Sequence, residues 1–360
     1  MSLKFHVATR KGWFEFEKRN NQWQITQSAF AGVPVSMSLA KQGSDVYYAA
    51  LNHGHFGVKL HRSQDAGKSW QEVATPKFET QKDIDEGLSL ELIWSLEYAN
   101  PDNEQTLWAG TIPGGLFFSN DGGDSWQINE SLWHQEEKKN WFGGGYDQPG
   151  IHSVCVHPTN PQHVIVGVSC GGVWVTKDAG KTWLLQAQGM RAEYVPPAKT
   201  FEPSIQDPHR LIQSPNNPDV LWVQHHNGIF HSSDGAQSWQ EITHSKPSHF
   251  GFAVATHPKD ANIAWFVPAI KDSCRMPVDG KVVVSRTTDG GKTFELLTEG
   301  LPQNNAYDLV YRHGLDVDNS GDNLVMGSTT GNLWLSENQG ESWLCISNFL
   351  PPIYSVRFLK

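Results

Sequence analysis

Histidine, arginine and acidic side chains are the groups in this chain that could do chemistry. Seven of the sixteen histidines, His53, His55, His152, His209, His225, His226 and His249, fall at the ends of apolar β-type segments rather than inside them. Neutral imidazoles backed by Asp147, Asp207 or Asp272 would suit a divalent metal such as Zn²⁺. Without a metal the same rings would hydrogen-bond backbone carbonyls around a water-filled channel. His225 and His226 are adjacent, so on a strand at most one of them faces such a channel. The carboxylates Asp83, Asp85, Glu86, Asp147, Glu193, Asp207 and Asp272 could supply an acid and a base for glycoside cleavage. That reaction needs two carboxyls ~5–10 Å apart, one with a raised pKa. The same acids could instead pair with Arg191, Arg210 or Arg275. Arg10, Arg191, Arg210, Arg275 and Arg312 could grip a carboxylate or phosphate through bidentate forks. Trp141, Phe142, Tyr146 and Tyr194 could stack on a sugar ring, or cap hydrophobic seams. Gly143-Gly144-Gly145 is no phosphate loop, because no Lys-Ser/Thr pair or helix follows it.

What must position these groups is a repeat. Ser119-Asn120-Asp121-Gly122-Gly123-Asp124-Ser125-Trp126 has a skeleton of hydroxyl, Asp, Gly, hydroxyl and aromatic at alternate positions. It recurs around Asp65, Asp178, Asp234 (with Ala236 in the Gly place), Asp289 and Asn338. The Asp accepts hydrogen bonds from its own turn, Gly supplies the positive φ of the reversal, and the aromatic tucks between neighbouring sheets. The aromatics stand at Trp70, Trp126, Trp183, Trp239, Phe294 and Trp343, in steps of 56, 57, 56, 55 and 49 residues. That spacing is one four-stranded propeller blade. Trp23, with Gly12-Trp13-Phe14-Glu15-Phe16, marks a further copy whose turn has lost the motif. The first copy lacks an inner strand, and Ile353-Tyr354-Ser355-Val356-Arg357-Phe358 is surplus at the far end. The expectation is an all-β, seven-bladed propeller occupying residues 1–360 as one domain. The C-terminal strand would complete the first blade, which removes exposed sheet edges.

The turn motif resembles the Asp-box, or BNR repeat, of sialidases, sortilins, xyloglucanases and photosystem II assembly factors. The resemblance implies that the motif is structural and lies on the face opposite any active site. Ala50–Leu60 and Val223–Phe230 are similar to uncharacterised bacterial proteins of the sialidase-like, BNR-repeat glycosyl hydrolase group. Sialidases of this kind hold a carboxylate with three arginines, one in an Arg-Ile-Pro motif near the N-terminus. Here the corresponding stretch is Gly32-Val33-Pro34, so that catalytic set does not carry over.

Starts of inner strands and ends of second strands converge on the top mouth of a propeller. This rule nominates Asp147, Glu193 and Asp272 as catalytic acids. It nominates His53, His55, Tyr146, His152, Arg191, Tyr194, His209, His225, His226 and Arg275 as ligand-binding groups. Long irregular loops before the fourth and fifth blades add to the mouth. Net charge of −10 and a pI near 5.9 argue against nucleic acid. The first residues show no apolar leader, and no stretch could span a bilayer, so a cytoplasmic chain without membrane contact is expected. Cys155, Cys170, Cys274 and Cys345 show no metal-type spacing. The function expected is binding or hydrolysis of a polar, sugar-like ligand, with a divalent metal as a possible cofactor. The alternative is a non-catalytic scaffold for protein partners.

Overall fold

A computed structural model describes residues 3–78 and 87–360. Seven four-stranded antiparallel sheets follow one another round the chain. The innermost strand of the first sheet is Ile353–Phe358, which pairs with Lys4–Thr9 in the register Val7 opposite Val356. The ends of the chain thus close one blade together, as the surplus C-terminal segment requires. No helix among the described residues is long and apolar enough to cross a membrane.

Each blade twists, so the space between two neighbours must be filled by side chains from both. Seven buried apolar clusters each straddle one blade-to-blade seam, for example Ala8, Trp13, Val35 and Tyr47 between blades one and two. Trp13, Trp174, Trp222 and Trp265 are among the largest fully buried side chains. Much of the tryptophan content is therefore wedge material.

Five of the six motif turns share one hydrogen-bond pattern, and in the sixth Asn338 Nδ2 donates to Ser342 Oγ (2.9 Å) instead of accepting from it. In blade two, Ser63 Oγ donates to Asp65 Oδ1 (2.8 Å) and accepts from the Gly67 amide (2.8 Å). The other end is tied by Ser69, whose amide donates to Oδ1 (2.8 Å) and whose hydroxyl donates to Oδ2 (2.6 Å). Hydrogen bonds from Ser69 and Ser63 pull the Asp65 carboxyl down to about 2. Gly67 has φ +84°, and Ala236, at the same place in blade five, has φ +71°. Three of the five motif indoles reach back to the preceding blade: Trp126 Nε1 donates to Ala74 O (3.0 Å), Trp183 Nε1 to Asn129 Oδ1 (2.7 Å) and Trp239 Nε1 to Gln186 O (2.8 Å). The turns stitch seams.

One irregularity matters for the site. In blades two to six the inner strand slips register near its start, between Val35 and Met37, Ile93 and Ser95, Ile151 and Ser153, Pro208 and Arg210, and Gly251 and Val254. A bulge leaves a residue unpaired and re-aims its side chain. The residues in these gaps are Ser36, Trp94, His152, His209 and Phe252 with Ala253.

Candidate functional site

A cavity of about 610 Å³ opens at the top of the central channel, with the bulge residues Ser36 and Trp94 and the second-strand end Asn52 in its wall. Ser36, Trp94, His53, His55, Phe56, Tyr146, Arg275, Tyr311, Arg312 and Tyr354 line it. His53 precedes and His55 lies within the short 3₁₀ turn Gly54–Phe56 that follows the second strand of blade two, and His53 lies edge-on to Phe56 at 5.1 Å. Tyr146 sits edge-on to Trp94 at 5.1 Å.

Arg312 occupies the floor. Its guanidinium lies 4.6 Å from the Trp94 ring centre, on blade three, and 5.3 Å from that of Phe252, on blade six. It therefore spans the channel from blade seven. The residue is 6% exposed, and its Nε has no hydrogen-bond partner. Burial pulls its pKa down, and Asp207 and Tyr146 work against this. Arg275 lies over the same Phe252 at 5.3 Å, and its Nε donates to Asp272 Oδ1 at 3.0 Å. No Asp or Glu lines the cavity among the described residues.

The acids nominated from sequence sit elsewhere. Asp147 is exposed on the loop before blade four. Glu193 pairs with Arg191, which is also held in a bidentate fork by Glu241 (2.6 Å from both Nε and Nη2). Asp272 pairs with Arg275. Asp83, Asp85 and Glu86 lie outside the described residues. Arg210 faces a second cavity, of about 370 Å³, at the lower end of the channel, where Arg357 pairs with Glu97 at 2.7 Å.

The remaining histidines divide into two environments. His152 is fully buried beside Trp94, its Nδ1 bonded to Ser153 Oγ (2.8 Å) and its Nε2 without a partner. Burial, then Arg312 and Arg210, push its pKa well below the ordinary value. His225 is buried with its two ring nitrogens facing the amides of Asp207 (3.0 Å) and Asn227 (3.1 Å). A proton on both nitrogens would confront N–H groups, and burial drives its pKa to about 3. His209 and His226 instead turn towards Asp207 Oδ2, each at 3.4 Å. Asp207 Oδ1 accepts from Ser169 Oγ and the Cys170 amide, both at 3.2 Å. Burial would raise this carboxyl, yet His209, His226 and Arg312 hold it well below the usual range. Tyr194 covers His226 edge-on at 4.9 Å, and its hydroxyl donates to Ile205 O (2.8 Å). His225 and His226 thus part company, as neighbours at a strand end must.

Of the five arginines that the sequence offers as an anion grip, Arg275 and Arg312 reach the mouth. Tyr311 and Tyr354, which no motif marks, join them from around the last blade and the closing strand. Trp94 and Phe252 look like core residues of apolar strands, and only the bulges turn them into the channel.

No protein-family model matches the chain. A segment of 85 residues is 35% identical to an oligoxyloglucan-reducing end-specific xyloglucanase of Emericella nidulans, covering 23% of this chain and 9% of that protein. Among solved structures, a GH74 enzyme of Niastella koreensis superposes with a TM-score of 0.61 at 16% identity, over 94% of this chain and 51% of that one. A functionally unknown protein from Desulfotomaculum acetoxidans superposes at 0.59 with 10% identity, over 99% of both chains. YCF48 bound to D1 peptide superposes at 0.52 with 14% identity, over 86% of this chain and 83% of that one. At these identities the likeness shows the fold. The chain spans about half of the Niastella enzyme and a small fraction of the xyloglucanase.

Proposed function

We propose that the top mouth binds a small, polar, saccharide-like ligand carrying an anionic group. The observation that carries this reading is Arg312, a buried guanidinium in no ion pair among the described residues, aimed into an aromatic-lined cavity. A cation taken out of water without a counter-charge costs several kcal/mol. A ligand carboxylate or phosphate would supply the missing charge through a planar fork. Trp94, Tyr146, Tyr311 and Tyr354 offer faces and edges for the C–H surface of a sugar ring. A cavity of about 610 Å³ lies in the size range of small-ligand sites. The resemblance in fold to GH74 enzymes and the segment shared with a xyloglucanase support a glycan-type ligand. The hydrogen-bond pattern of the motif turns supports assigning them as Asp-boxes of BNR-repeat propellers.

Binding is favoured over hydrolysis because no carboxylate lines the mouth among the described residues. The scaffold reading draws support from the likeness in fold to YCF48 with its bound peptide. Thermal shift and calorimetric titration with glucuronate, galacturonate and glucose 6-phosphate, against glucose, galactose and xylose, test the proposal. The charged sugars should bind the wild type and lose at least about tenfold in affinity with Arg312→Met. Equal binding of neutral and charged sugars, or an unchanged Arg312→Met, would reject it. Failure of every sugar would leave the scaffold reading.

A further inference from the structure

The geometry points to a divalent metal site formed by Asp207, His209 and His226, beside the mouth and separate from the ligand groups above. His209 Nδ1 lies 2.7 Å from the carbonyl oxygen of Gly251. A carbonyl only accepts, so Nδ1 carries the ring proton. The Nε2 lone pair of a neutral His209 then aims at Asp207 Oδ2, 3.4 Å away. Two acceptors facing each other in a buried place need a cation between them.

A metal ion answers the same demand. An imidazole whose Nδ1–H is held by a backbone carbonyl while Nε2 faces outward has the orientation that outer hydrogen bonds give metal ligands. Asp207 is prepared likewise: Ser169 and Cys170 occupy Oδ1, and Oδ2 is left for the two rings. His226 presents Nδ1 to that oxygen at 3.4 Å. All three donor atoms lie within 4.8 Å of one another. A tetrahedron with bonds of about 2.1 Å has edges of about 3.4 Å, which matches both oxygen–nitrogen separations. The third edge closes by rotation of His226, the most exposed of the three rings and acid.

Two loop residues crowd the cluster. Gly144 lies so near that a Cβ there would meet Cys170 Sγ at 2.8 Å and Asp207 Oδ2 at 3.4 Å. Tyr194 covers the His226 side. The loops before blades four and five, long and irregular in the sequence, both end at this cluster. An N₂O donor set of two imidazoles and one carboxylate is that of Zn²⁺ sites with an open position. Such an ion would sit behind Phe252, which stacks on His209 at 4.4 Å and also carries Arg312.

The test uses the full chain, stripped with a chelator, equilibrated with Zn²⁺, and passed into metal-free buffer before mass-spectrometric metal analysis. About one Zn²⁺ per chain should remain, with a raised thermal midpoint. Co²⁺ should give the visible ligand-field bands of a four- or five-coordinate ion. Asp207→Asn and His226→Ala should each lower affinity about tenfold or more, whereas His53→Ala should not. His226 is partly exposed, so its variant separates loss of a ligand from loss of the fold. A folded wild type that retains no Zn²⁺ overturns the site, as does a His226→Ala protein that binds like the wild type. Loss of metal in His53→Ala alone would also overturn it.

Discussion

At the residue scale the most telling side chain is Arg312. Guanidinium groups are kept inside proteins when a partner repays their desolvation, and this one meets only aromatic rings and distant charge. Cation–π contact is worth about 0.5–2 kcal/mol, less than several kcal/mol of desolvation. Arg312→Met keeps the volume and removes the charge, so it should stabilise the ligand-free protein by about 1–3 kcal/mol in urea unfolding. A destabilised variant would mean that the cation is compensated in the free protein, and the anion proposal would lose its basis. The residue scale also shows where reading the sequence stops. Histidines at strand ends were visible as a set, but which ring meets which acid depends on one-residue bulges. Asp207 is one of seven candidate acids and one of three that the sequence offers as backing for imidazoles. Among the described candidates it alone touches two histidines, whereas Glu193 and Asp272 satisfy themselves on local arginines.

At the element scale the blades explain both what was legible and what holds the ring. The motif turns announce themselves because each of five or six positions has a separate physical duty, and composition cannot drift without breaking a hydrogen bond. Blade one lacks that turn and was legible only through Trp13 and Trp23. Its turn is Asn20-Asn21, both at positive φ, and a buried acid, Glu15, lies within the strand Gly12–Arg19. Burial would raise this carboxyl, but His6 at 3.7 Å and hydrogen bonds from Lys4 Nζ (3.0 Å) and Thr26 Oγ1 (2.8 Å) bring it from 4.5 down to about 2. A carboxyl depressed on folding contributes stability that is present above its unfolded pKa and lost as pH falls towards the folded one. Glu15 should therefore contribute about 3 kcal/mol above pH 5, declining between pH 4.5 and 2. Urea midpoints across that range should fall less steeply in Glu15→Gln, and parallel slopes would refute the assignment. A second element-scale device is the backbone seam. The amide of Trp343 donates to Glu299 O (2.9 Å), and Gly300 at φ +80° lies where a Cβ would stand 1.9 Å from Trp343 O. Gly189 meets Trp239 O in the same manner two seams away, between blades four and five. Gly300→Ala should cost about 3 kcal/mol or more, from left-handed strain plus a backbone clash. A loss below about 1 kcal/mol would show that the seam can slide.

At the scale of the whole molecule the question is what keeps seven similar blades in a closed ring. An array of this kind is stabilised seam by seam, and an unclosed one would leave the strand Lys4–Thr9 as a bare edge. The closing strand supplies backbone pairing from Phe5–Phe358 to Thr9–Ile353, side chains to the blade one and seven core, and Arg357 to Glu97 across the lower channel. The mouth depends on it too, because Tyr354 lines the cavity and the His313–Ser355 bridge steers the segment carrying Arg312. Closure and ligand site are thus one structural event. Removing residues 353–360 should bare the edge and give aggregates on size exclusion. The informative variant is a circular permutant that joins Lys360 to Leu3 through a short linker and opens between Asn348 and Phe349. Leu359 already bonds Lys4 (3.1 Å), so a hairpin fits there, and Phe349 is 92% exposed, so the cut is tolerable. Blade one is then contiguous, and the last seam is held without a covalent link, by side-chain packing and by backbone bonds such as Ile353 N to Ser328 O (3.0 Å) and Val356 N to His313 O (2.8 Å). The permutant should fold to the same circular dichroism spectrum and remain monomeric, with a thermal midpoint lowered by several degrees. It should bind charged sugars weakly if the closing strand positions Tyr354 and Arg312 through the chain. Unchanged affinity and midpoint would instead show that the seam needs no covalent clasp, and that the mouth is set blade by blade.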